Sequence, residues 1–169
     1  MTTQISRTVL GNKELVGDRL WHRLVGRILT DLEFWQYFGE HEEQVRRRWA
    51  ERIVDQTLAY LRLCGEDPDP GRYSPSPLVD IGWHTFILYT VEYADFCTQV
   101  ADRFIHHRPL DDEDAGSGGT ADVVAAMKAR GITVDDALWG AGPAGSTCAR
   151  CSPPSGPKLC APQSCSPGS

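Results

Sequence analysis

Residues 76–104 read SPLVDIGWHTFILYTVEYADFCTQVADRF, and this stretch decides the fold. Ser76 is a favoured helix cap and Pro77 suits the first helical position, so a helix opens there and runs over 77–88. Thr90 is placed to cap a second helix over 91–104, with Glu92 in the first turn, where the helix dipole favours a carboxylate. Nothing in the stretch alternates with a period of two for long, so strands are not expected.

Working outward, the same periodicity recurs on both sides. Over 13–30, Leu20, Leu24 and Ile28 repeat every four residues beside Trp21, Val25 and Leu29, a wide apolar helical face. The aromatic-rich DLEFWQYFG of 31–39 reads as a short helical turn or a loop packed on the core. Over 42–64, Val45, Trp49, Ile53, Leu58 and Leu61 form one stripe, and Gly65 is expected to stop the helix. The breakers of EDPDPGRYSPSP, 66–77, make a loop. Thr120 starts a short amphipathic helix ending at Gly131, and Thr133 with Asp136 resembles a capping box for a last turn delivering Leu138 and Trp139. The expectation is an all-α protein: a single compact bundle of five or six helices with a disordered Cys/Pro/Ser-rich C-terminal tail. Its body is 1–110, followed by an acidic and Gly-rich linker at 111–119, short helices packing on the body at 120–140, and the tail at 141–169.

Composition separates the tail from the body. Gly, Pro and Ser supply 16 of the 28 residues of 142–169, and Leu159 is the sole large aliphatic there. Such a segment buries too little apolar surface to offset its ordering entropy. The tail carries a charge of +2 against −8 for the residues before it, within a net charge of −6. That balance excludes a general nucleic-acid coat. A mean hydropathy of −0.34 and the lack of any apolar run near twenty residues exclude a membrane-spanning helix. Met1–Leu10 does not read as a secretory signal, so the expected compartment is the cytoplasm, where thiols stay reduced. No phosphate-cradling glycine loop, nucleophile elbow or His-Glu-x-x-His motif is present.

Two constellations could carry chemistry. Asp80 and His84 are four apart on one helix and share a face. If the two helices of 76–104 pair antiparallel, both approach His106 and His107. Imidazoles with a carboxylate suit zinc or ferrous iron. The plainer reading makes Asp80 and His84 hydrogen-bonded partners holding the hairpin, with His106 and His107 closing a helix. Cys97 reads as core. In the tail, Cys148-x-x-Cys151 has the spacing that lets both sulfurs reach one tetrahedral metal, and Cys160 and Cys165 could supply two more. Zinc is the first choice, with iron or copper as alternatives; exposed thiols open to oxidation or modification are the competing reading. Arg46, Arg47, Arg48 and Arg52 fan around their helix within reach of Glu42, Glu43 and Glu51, which reads as a solvated, salt-bridged face.

The stretch 74–85, SPSPLVDIGWHT, resembles the signature of the glycine-rich domain-containing protein-like family, in its short actinobacterial form. Pro77, Asp80, Trp83, His84, Thr85, Tyr93, Cys97 and His106 or His107 match that signature, over roughly 74–109, and Phe86 stands where the family has a second histidine. The resemblance implies an all-α fold and a role for His84. It implies no mechanism, because the RNA-associated roles of plant members belong to other domains. Three functions remain open at this stage. The first is a small cytosolic metal-binding accessory or regulatory protein, its metal ligands drawn from Asp80, His84, His106, His107 and the four tail cysteines. The second is a metal- or histidine-dependent enzyme using His84 oriented by Asp80. The third is the precursor of a modified peptide, with a folded leader and a Cys/Ser/Thr-rich core.

Overall fold

The 42–64 stripe grows into the axis of the molecule. In the computed structural model, which describes residues 11–70, 73–107 and 119–140, helix α3 spans Glu43–Glu66, 24 residues, or about 36 Å. Around it pack α1 (Gly17–Ile28), α4 (Pro77–Ile87), α5 (Thr90–Ala101) and α6 (Thr120–Ala129). The short α2 (Leu32–Phe38) completes an all-helical fold, with no strand among the described residues. One stripe describes only the first turns of α3. From Ile53 to Leu61 every residue is buried, because neighbours cover the helix on all sides.

Three of those buried residues are polar, and each is paired. The Asp55 carboxylate accepts from the backbone and side-chain amides of Asn12 at 3.0 and 3.3 Å and from Gln56 Nε2 at 3.1 Å. Gln56 also donates to Thr133 O at 3.1 Å, while its Oε1 accepts from Asp135 N and Trp139 Nε1 at 3.0 and 2.9 Å. The Thr57 hydroxyl donates to Val79 O at 3.0 Å. An unpaired buried polar group costs about 1–3 kcal/mol, so this polar step in α3 fixes where residue 12, α4 and the segment after α6 must lie.

Several boundaries differ from the sequence reading, each for a local reason. The helix expected over 13–30 is broken into a 3-10 turn, Lys13–Leu15, and α1, with Val16 between them and Gly17, the first residue of α1, at φ +71°. Of the two readings left open for 31–39 the helical one holds, over Leu32–Phe38, where the Asp31 carboxylate caps the helix by accepting from Phe34 N at 3.1 Å. Gly65 does not stop α3. It lies inside the helix, where a Cβ would fall 2.4 Å from Val100 O at the end of α5. Arg103 then donates to the terminal α3 carbonyls of Cys64 and Gly65, at 2.8 and 3.3 Å.

Thr90 is the first residue of α5 and not its cap, and α5 ends at Ala101 with Asp102 at φ +51°, short of the expected 104. Helix α6 closes as expected at Gly131, whose φ of +68° lets Gly131 N and Ile132 N return to Lys128 O and Met127 O at 3.1 and 2.9 Å. Thr133 and Asp136 open no helix. Turn bonds from Leu138 N to Asp135 O and from Trp139 N to Asp136 O still bury both side chains as expected.

The arginine face is only partly solvated. Arg47 pairs with Glu51 at 3.4 Å as expected. Arg46 lies 4.8 Å over the Trp35 ring and donates to His41 O. Arg52 stacks 3.9 Å from the Trp49 ring and grips Asp135 through two bonds of 2.6 and 2.7 Å. No described helix is long and apolar enough to cross a membrane. Residues 111–118 of the linker expected over 111–119, and the tail at 141–169, lie outside the described residues, while Gly119 caps α6.

Candidate metal centre

Ser76 and Pro77 set the first turn of α4: the Ser76 hydroxyl accepts from Val79 N at 3.3 Å and its carbonyl from Asp80 N at 2.9 Å. That puts Asp80 in the first turn and His84 one turn on, sharing a face. The opposite face carries Val79, Gly82 and Phe86 into the core. At Gly82 α4 lies hard against α3, since a Cβ there would stand 2.0 Å from Thr57 Oγ1 and 3.0 Å from Ile53 Cγ2. The glycine therefore sets the depth at which the Asp80–His84 face sits.

The third member arrives from beyond α5. Trp83 Nε1 donates to the Tyr93 hydroxyl at 2.8 Å, and that hydroxyl donates to Ile105 O at 2.6 Å. Burial pushes the Tyr93 phenol well above its ordinary range, so it stays neutral and keeps its proton for the carbonyl. This relay draws the segment after Asp102 back along the α4–α5 hairpin and buries Ile105. The His107 ring then sits 4.4 Å from the Trp83 ring and 4.5 Å from the His84 ring.

His107 Nε2 is 2.9 Å from Asp80 Oδ1, a hydrogen bond. His84 Nδ1 is 3.8 Å from Asp80 Oδ2, too far for one. One donor atom from each of the three residues lies within 4.8 Å of the others. Bonds of about 2.0–2.1 Å to a tetrahedral zinc place its ligand atoms about 3.3 Å apart, a spacing these separations bracket. His84 is 55% exposed, whereas Asp80 and His107 are 30% and 19% exposed and hydrogen-bonded to each other.

The structure thus gathers Asp80, His84 and His107. It does not bring His106 to them: that ring is exposed and lies 4.9 Å from Phe104. Cys148, Cys151, Cys160 and Cys165 lie outside the described residues. Cys97 is fully buried, as expected for core. Phe86, where the resemblance placed a second histidine, packs edge-on to Tyr93 and Phe96 at 5.1 and 5.2 Å and faces away from any ligand set. The positioning parts that residue types alone did not reveal are the Tyr93 relay and Gly82. A glycine within a strongly apolar helix was the available signal for the second.

No curated protein and no solved structure matches the chain. A family model does match, UCP032817-like, over residues 31–115. It overturns the likeness to the glycine-rich domain-containing protein-like family drawn from 74–85, a short motif outweighed by a match running from α2 past His107. With half of its 169 residues matched and Asp80, His84 and His107 all inside the match, the chain belongs to the UCP032817-like family.

Proposed function

We propose that this chain binds one divalent transition metal, zinc in the first place, through Asp80, His84 and His107, and serves as a small metal-binding accessory or regulatory protein of the cytoplasm. The observation that carries the reading is the convergence of three donor atoms within 4.8 Å from two separate segments. The plainer alternative, an Asp80–His84 hydrogen bond bracing the hairpin, is weakened by their 3.8 Å separation. Two imidazoles and a carboxylate form a borderline-soft donor set suited to zinc, with iron or copper next. The charge of −8 before Gly142 supports a partner other than nucleic acid.

Elemental analysis of the full chain, purified without a tag, tests the reading. It is expected to find zinc, iron or copper near stoichiometry. After chelation, zinc titration should restore one equivalent that is lost when His84 and His107 are both replaced by alanine. Metal-free protein that takes up no zinc in titration, or uptake unchanged by those replacements, would overturn it.

A further inference from the structure

The three donors reach their common centre from the protein side alone. Asp80 and His84 rise from one face of α4, and the His107 ring comes in beside them, 4.4 Å from the ring of Trp83, which is 5% exposed and backs the cluster. Exposure grows in the other direction, from 19% at His107 and 30% at Asp80 to 55% at His84. No fourth His, Cys, Asp or Glu among the described residues joins the group. A zinc-like metal takes four ligands, and a site of three protein donors leaves the fourth place to water or to an outside molecule.

Charge narrows what that molecule is. Two neutral imidazoles and one carboxylate cancel one of the two charges of a divalent metal, so one positive charge is left on the solvent side. A small anion with a single negative charge neutralises it. A neutral molecule does not, and a dianion adds surplus negative charge to a body that already carries −8 before Gly142.

We infer that the metal held by Asp80, His84 and His107 keeps its fourth coordination place open on the His84 side and takes there a small monoanion of the carboxylate kind, so that the anion regulates how tightly the metal is held. This inference rests on the metal-binding reading above. The coupling is reciprocal: whatever the metal adds to the affinity for the anion, the anion adds to the affinity for the metal.

Cobalt(II) titration of the full chain provides the test, because the visible bands of this ion follow its donor set. With one equivalent of cobalt bound, acetate or azide should change those bands and saturate. Either anion at about ten times its half-saturating concentration should tighten cobalt binding about tenfold. Replacing both histidines, His84→Ala with His107→Ala, should remove both effects. If cobalt binds through the two histidines while its bands and affinity ignore both anions, the fourth place is closed; the inference falls and the metal-binding reading stands. If the anion effects survive unchanged in the histidine variant, the anions meet cobalt elsewhere and the inference falls. If no cobalt binds through the two histidines, both fall together.

Discussion

Gly82→Ala is expected to destabilise the protein by about 2–4 kcal/mol. In an open helix the same change stabilises by about 1 kcal/mol. At Gly82 the new methyl would stand 2.0 Å from Thr57 Oγ1, 3.0 Å from Ile53 Cγ2 and 3.1 Å from Thr57 Cβ, all on a neighbouring helix. Overpacking of this kind costs about 1–3 kcal/mol. Turning Thr57 aside to make room breaks its 3.0 Å bond to Val79 O, inside the core, for about 1–3 kcal/mol more. Urea unfolding should show the midpoint falling by roughly 1–2 M, and Thr57→Ala added to Gly82→Ala should recover part of the loss because the two sites are coupled. Gly26, with nothing within 4 Å of its notional Cβ and in the last turn of α1, is the control; Gly26→Ala should stabilise by up to about 1 kcal/mol. A Gly82→Ala protein as stable as the native one would refute the close α3–α4 contact that sets the depth of the Asp80–His84 face.

Two further predictions concern buried titratable groups. Burial pushes the Cys64 thiol up to about 12, and Cys97 is fully buried, so thiol reagents should label both only after denaturation; peptide mapping that found either labelled in the native protein would contradict the packing. Burial raises the Asp55 carboxyl above the ordinary range, against the hydrogen bonds from Asn12 and Gln56 and helped by the nearby Asp135 charge. A raised folded-state value means that this group's contribution to stability is complete below its unfolded value, about 3.9, and is lost as pH rises through the folded one. Carboxyl NMR should find Asp55 titrating above the exposed aspartates, and Asp55→Asn should flatten that part of the stability profile; an Asp55 titrating at or below them would contradict it.

Local chemistry explains what the sequence made legible. Ser76 and Pro77 mark the start of α4 because a cap and an N1 proline act within one turn, and the structure follows them to the residue. Gly131 ends α6 for the same kind of reason. Gly65 misleads because its glycine character serves a contact with Val100, thirty-five residues away, which no local rule can see. Asp55, Gln56 and Thr57 look like one turn of exposed helix, yet their distant partners lie at residues 12, 79, 133, 135 and 139, on neighbours that bury α3 all round. In the site, Asp80 and His84 are visible from their spacing. The choice of His107 over His106 depends on the Tyr93 hydroxyl fixing Ile105, a tertiary bond that decides which neighbouring side chain turns inward.

The central claim is that two imidazoles and one carboxylate share a metal. Nitrogen-15 NMR of the histidine rings during a zinc titration tests it most directly, because the five histidines of the chain report separately. The ring nitrogens of His84 and His107 should shift together and saturate at one equivalent of zinc, while those of His22, His41 and His106 hold still. Shifts at His106 in place of His107, or no change at His84 and His107 with zinc in excess, would contradict the claim.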